Sequence, residues 1–149
     1  MSFAIDVDVL LHASDRSSVH SARAVEFLAH CAEGPEVMCV AWPTVMRYLE
    51  LATHPSIFAR PLSPEEASGN IDALLGLPHV RALGEEDGFW NVYRQVSGST
   101  PVRGNLVPDA YLAALLRQHG VTTLYTHDKD FRKFDFLRVR NPFDSAPAR

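Results

Sequence analysis

Short apolar runs alternate with longer stretches of helical period along most of this chain. Ser2–Ile5 is a compact apolar stretch and predicts a first strand, with a short helix following over Val7–Ala13. Ser18 is placed to cap a helix reaching about Ala32, with Ala22, Val25, Ala29 and Ala32 along one face, and Gly34-Pro35 closes it. Glu36–Ala41, rich in Val, Met and Cys, predicts a second strand. Pro43 suits the first turn of the next helix, which fades before His54-Pro55. Ser63-Pro64-Glu65-Glu66 is a strong helix start: Ser63 caps, Pro64 fits the first helical position and Glu66 completes a capping box. That helix continues to about Leu75, and a short strand is expected near Val80–Ala82. Gly88–Val96 reads as a helix carrying Phe89, Trp90 and Tyr93. After a loop through Gly98 and Gly104-Asn105, Pro108 opens a helix with Ala110, Leu112, Ala113, Leu115 and Leu116, closed by Gly120. Thr122–Thr126 predicts a fourth strand, and Arg138–Arg140 a weak last one before Asn141-Pro142.

This alternation predicts an α/β fold with a mostly parallel sheet covered by helices. A length of 149 residues and 46% hydrophobic composition suit one globular domain spanning 1–149. The longest apolar runs are far too short to span a membrane. Met1-Ser2-Phe3-Ala4-Ile5-Asp6 lacks a basic region and meets an aspartate at once, which argues against a secretory signal peptide and for a cytoplasmic location. Cys31 and Cys39 form no CxxC pair and no Cys/His zinc pattern, so both read as small buried hydrophobes in a reducing compartment.

Charge adds an asymmetry. The net charge is −4, but residues 1–80 carry −6 and residues 81–149 carry +2. An ordinary solvated surface explains this. So does a basic rim near an acidic site, able to hold a phosphate backbone, with Arg94, Arg103, Arg117, Arg132 and Lys133 as candidate contacts.

The candidate chemistry lies in aspartates at the α/β junctions. Asp6 ends the first strand, Asp109 begins the apolar-periodic helix after Pro108, and Asp128 follows the fourth strand. Each alone has an ordinary role. Asp6 or Asp8 can cap a helix, Asp109 suits a first helical turn, and Asp128 or Asp130 suits a turn. Together they suggest one acidic pocket, because ligand sites of open α/β sheets lie at the carboxyl ends of strands. Such a pocket needs protons or a cation, and Mg²⁺ or Mn²⁺ suits carboxylate and water ligands. Carboxylates sharing a divalent ion can stabilise charge on a phosphate in the transition state and activate a water, the chemistry of phosphodiester cleavage.

At these residues the chain resembles the PIN-domain ribonucleases. Ala4-Ile5-Asp6-Val7-Asp8-Val9-Leu10-Leu11 is similar to their opening, usually hydrophobic-Asp-x-Asn/Ser-x-Leu. Val107-Pro108-Asp109-Ala110-Tyr111-Leu112-Ala113-Ala114-Leu115 is similar to their central Asp-Ala-x-Leu-Ala-Ala helix, and Thr126-His127-Asp128-Lys129-Asp130-Phe131 to their Thr-x-Asp-x-Asp-Phe turn. Leu137–Pro142 fits a common ending, and Ala52-Thr53-His54-Pro55 resembles a segment of the VapC toxins of type II toxin–antitoxin pairs. The resemblance implies a three-layer α/β/α PIN-like fold with a central, mainly parallel sheet of four to five strands. It also implies an Mg²⁺- or Mn²⁺-dependent endoribonuclease acting on RNA, paired as a homodimer and inhibited by a cognate VapB antitoxin. Asp6, Asp109 and Asp128 map onto the family's metal-binding acids, and Asp130 onto a further acid of the same turn.

Two departures stand out. Many PIN domains carry a glutamate early in the third helix, and that position here is Val45. Glu50, a tentative substitute, lies five residues later, about 500° round at about 100° per residue and so roughly 140° from the expected face. Asp8 stands where Asn or Ser is usual and adds a negative charge near the site. Two other readings compete. Asp6-Val7-Asp8-Val9 satisfies the DxDxV pattern of haloacid-dehalogenase-like phosphatases, with Asp6 as nucleophile and Asp8 as general acid, although the first lysine of the chain is Lys129. Val45 in place of the glutamate also fits a nuclease-impaired module that only binds. The histidines show no HExxH pairing. His127 neighbours Asp128 and reads as a loop residue or a phosphate contact, whereas Phe89, Trp90 and Tyr93 read as core or dimer contacts rather than base-stacking groups.

Overall fold

The computed structural model describes residues 1–144, so the last five residues of the expected 1–149 domain lie outside the described residues. Its strands are β1 (Ser2–Ile5), β2 (Val37–Ala41), β3 (Val80–Leu83), β4 (Thr123–Tyr125) and β5 (Arg138–Arg140). Its α-helices are α1 (Val7–Ser14), α2 (Ser21–Ala32), α3 (Trp42–Ala52), α4 (Pro64–Leu75), α5 (Phe89–Gly98) and α6 (Leu106–Gln118), with a short 3-10 helix at Lys129–Lys133. The strands form one sheet in the order β3-β2-β1-β4-β5, every neighbouring pair parallel. This is the expected α/β/α architecture with five strands.

Both sheet faces are covered, which is why β1 and β2 are apolar at nearly every position. Phe3, Ile5, Met38 and Val40 point to one side, into a core with residues of α1, α2, α3 and α4 such as Val9, Phe27, Tyr48 and Ile71. Ala4, Cys39, Ala41, Leu83 and Leu124 point to the other, against α5, α6 and the 3-10 helix. Small residues on that face let α6 lie close to the sheet, and its run Leu112–Leu116 is buried throughout. Both cysteines are buried and free, as expected.

The capping box at α4 forms as expected. Ser63 Oγ accepts from Glu66 N at 3.1 Å, and Glu66 Oε1 accepts from Ser63 N at 2.9 Å. Replacing Ser63 with Ala is expected to cost about 1 kcal/mol. The midpoint of a urea melt checks this, and an unchanged midpoint would mean the cap adds nothing to the fold.

Two local expectations are corrected. Ser18 does not cap a helix: α2 begins at Ser21 behind His20, and Ser18 Oγ accepts from His20 N at 3.0 Å within the preceding turn. The face of α2 also differs. Ala24, Phe27 and Cys31 are buried, whereas Ala22, Val25 and Ala29 are exposed. The larger apolar payload of Phe27 decides the rotation, since its ring packs against Tyr125 at 4.8 Å. Pro108 lies inside the first turn of α6 rather than opening it, a position where its missing N–H breaks no helical bond.

Candidate acidic active site

The order of the strands builds the site. Successive strands run outward from β1 to β3, then the chain crosses back so that β4 lies on the other flank of β1. The crevice at such a reversal, outside the carboxyl ends of the strands, is where open α/β sheets place ligands. Ile5 is in register with Tyr125, and Asp6 N donates to Tyr125 O at 3.0 Å. The residues that follow β1 and β4 therefore emerge side by side.

Thr126 joins them. Its side chain is buried, and its hydroxyl donates to Asp6 Oδ2 at 2.8 Å while accepting from Asp128 N at 3.0 Å. Asp8 Oδ2 lies 3.3 Å from the same hydroxyl, which has a single proton, so the shorter bond to Asp6 takes it. Asp8 Oδ2 instead accepts from His127 N at 2.6 Å. Asp6 Oδ1 caps α1 by accepting from Val7 N at 2.8 Å, and Asp128 Oδ1 accepts from Asp130 N at 2.9 Å. The ordinary capping and turn roles are thus real, and they fix the direction of carboxylates that also share one crevice.

Asp109, from the first turn of α6, completes the group. Carboxylate oxygens of Asp109, Asp128 and Asp130 lie within 4.8 Å of one another. Asp6 stands beside them, close enough to Asp109 for repulsion to raise its affinity for a proton. The structure therefore gathers all three sequence-selected aspartates in one region and draws Asp130 more tightly into it than the motif suggested. Glu50 is held elsewhere, in an exposed pair with Arg47 at 3.0 Å. Val45, on α3, is buried in the core. Lys133, one of the candidate basic contacts, lies 3.9 Å from Asp130 and eases the charge on Asp109.

Electrostatics match the crowding. Burial, followed by repulsion from Asp8 and Asp109, pushes Asp6 up to about 7. Burial, then Asp128 and Asp130, pushes Asp109 up to about 6. Burial likewise raises Asp8, whose Oδ1 is buried without a hydrogen-bond partner among the described residues. Hard carboxylate oxygens converging in a crevice, with a buried orphan oxygen at its edge, fit a small divalent cation. Thr126 stands in the quoted turn motif, but sequence reasoning gave it no role of its own, and the structure makes it the link between Asp6 and Asp128. Its signal was a hydroxyl residue ending an apolar strand, where a buried polar group must find a partner.

Comparison with known proteins finds matches over nearly the whole chain. The PIN domain family model matches residues 3–137. Ribonuclease VapC48 of Mycobacterium tuberculosis is 47% identical over 143 residues, covering 96% of this chain and 99% of the relative. Ribonuclease VapC43 of the same organism is 29% identical over 140 residues, covering 94% and 95%. Among solved structures, the Mycobacterium tuberculosis toxin VapC20, described as cleaving the sarcin-ricin loop, superposes with a TM-score of 0.68 at 17% identity, covering 93% of this chain and 98% of that one. A chain of Rickettsia felis VapBC2 bound to a promoter DNA fragment gives a TM-score of 0.68 at 12% identity, covering 95% and 98%, and at these identities both structures speak for the fold alone. The fold, the carboxylate crevice and the near full-length match together mean that the chain belongs to the PIN-domain family, in its VapC group.

Proposed function

We propose that the protein is a ribonuclease toxin that hydrolyses RNA phosphodiester bonds with Mg²⁺ or Mn²⁺ as cofactor. The observation that carries this reading is the carboxylate cluster at the sheet's reversal point, in a chain 47% identical to a named ribonuclease. Asp6, Asp109 and Asp128 would hold the cation, with Asp130 as a neighbouring oxygen donor. Bound there, it would supply Lewis-acid stabilisation of the charge that develops on the phosphate. The chain itself orients the donors: Thr126 directs Asp6, the Asp6 cap on α1 fixes its second oxygen, and the Asp130 amide fixes Asp128. Without a cation, burial and mutual repulsion raise the proton affinity of Asp6 and Asp109 above that of ordinary carboxyls. The near full-length similarity to a named ribonuclease disfavours the phosphatase reading with Asp6 as nucleophile.

A VapB-type antitoxin is the proposed inhibitor, in line with the VapBC assemblies among the structural neighbours. An acidic crevice suits a basic inhibitory segment. Pairing of two copies belongs to the same proposal. Trp42 and Met46 of α3 leave 43% and 56% of their surface open, an apolar area that a second copy could cover.

The purified chain should cut total RNA in Mn²⁺ or Mg²⁺ and stop in EDTA, with cleavage ends mapped by sequencing. Cutting that survives the chelator would remove the metal from the scheme. A folded chain that binds RNA without cutting it would be the nuclease-impaired module instead. Glu50→Gln is expected to leave the rate within about threefold of the unaltered protein, since it changes an exposed pair away from the cluster.

A further inference from the structure

Next to the carboxylates stands a group of rings that neither the core nor the proposed chemistry uses. His20 stacks on Phe143, with centroids 4.7 Å apart and planes at 15°. His127 meets both edge-on, at 5.4 Å from His20 and 5.8 Å from Phe143. His12 closes the group at 5.0 Å from His20 and 5.1 Å from Phe143. Four segments supply these rings: α1, the turn before α2, the turn after β4 and the segment after β5.

The group is continuous with the acidic crevice. His127 is bonded through its backbone N–H to Asp8 and precedes Asp128. Its side chain is exposed, and His12, His20 and Phe143 are each partly open. A role in metal binding is not favoured: the one grouping of ligand atoms among the described residues is that of the aspartates. His12 Nδ1 is also already engaged with Ser18 Oγ at 2.6 Å. Burial and the neighbouring His20 hold His12 below its ordinary range, which favours a neutral ring at pH 7.

Aromatic rings at the rim of a site for a phosphodiester have an evident ligand. A scissile phosphate carries a nucleoside on each side, and proteins that read single-stranded RNA stack its bases on Phe, Tyr, Trp or His. We propose that His20, His127 and Phe143 form a stacking site for an unpaired nucleobase adjoining the scissile phosphate. This rests on the RNA-cleaving reading above.

The test uses the full chain in the Asp109→Asn background, so that RNA is not consumed. The probe is a short single-stranded RNA carrying 2-aminopurine at one position at a time, since stacking quenches its fluorescence. Quenching is expected at one position. His127→Ala and Phe143→Leu should each abolish it and weaken binding about tenfold. Phe143→Trp and His127→Tyr should retain both. Replacing the quenched base with an abasic ribose should weaken binding to the ring-intact protein by the same factor and add nothing in His127→Ala. Should Phe143→Leu fail to fold, the exposed His127 carries the test alone. Equal affinity and quenching with and without the His127 ring would overturn the proposal while leaving RNA cleavage by the unaltered chain untouched. A chain that neither binds nor cuts RNA would overturn both this site and the reading beneath it.

Discussion

Asp109→Asn is expected to lower RNA cleavage by roughly 10²–10³-fold, and at pH 7.5 to make the metal-free protein harder to melt. The first effect follows from removing a charged oxygen donor from a group whose members lie within 4.8 Å of one another. The second follows from the same crowding. Asp109 is pushed up to about 6 by burial and by Asp128 and Asp130, so at pH 7.5 the folded chain holds it ionised against its neighbours. The unfolded chain ionises it freely. Asparagine keeps the shape and removes the charge, a gain of about 1 kcal/mol once solvent screening of this half-buried group is allowed for. Opposite signs for activity and stability separate a functional carboxylate from a structural one. A variant that cuts RNA at the original rate, or that melts earlier without metal, would exclude Asp109 from the site.

The second large effect is on stability against pH in the absence of metal. Asp6 is raised from 3.8 to about 7 in the folded chain. Below about pH 4 both folded and unfolded chains hold this proton, so the group adds no penalty. Between 3.8 and 7 the unfolded chain has lost it while the folded chain keeps it, and above 7 the folded chain bears the full burial and repulsion. The unfolded state binds fewer protons across that window, so stability falls as pH rises. The expected fall from this carboxyl is on the order of 2 kcal/mol, or a Tm lower by about 4–8 °C between pH 4.5 and 7.5. His12 acts in the opposite direction. Its lowered affinity for a proton means that folding gains as pH rises toward its ordinary range. Melting curves of Asp6→Asn measured beside the unaltered chain cancel the histidine and report Asp6 together with the carboxyls coupled to it. Saturating Mn²⁺ should raise Tm more at pH 7.5 than at pH 5, because the cation competes with protons for the same oxygens. A difference curve flat with pH, or a Tm indifferent to Mn²⁺, would dismiss the coupled acidic pocket.

Much of this was legible from local pattern. The capping box at Ser63, the strands at Ser2–Ile5 and Arg138–Arg140 and the long buried stripe of α6 depend on neighbours a few residues away. The aspartates were legible for the same reason, each lying where a strand ends or a helix begins. The face of α2 was misjudged because four alanine and valine positions share its helical period as well as Phe27 does. Which stripe turns inward is set by the shape of what it meets, here Tyr125 on another strand.

By itself, then, the chain's order of residues determined the elements, the alternation that demands a sheet covered on both sides, and the carboxylates waiting at the element ends. Only the tertiary structure decided that β4 lies against β1, that Thr126 bridges Asp6 to Asp128 across 120 residues of sequence, and that Asp130 crowds in where Glu50 does not. The same holds for the rings of His20, His127 and Phe143 at the rim. The physical reason is range. Periodicity and capping are settled by bonds and contacts within a turn or two, whereas strand order and side-chain convergence come from packing whole faces together, a sum over partners that no local window contains.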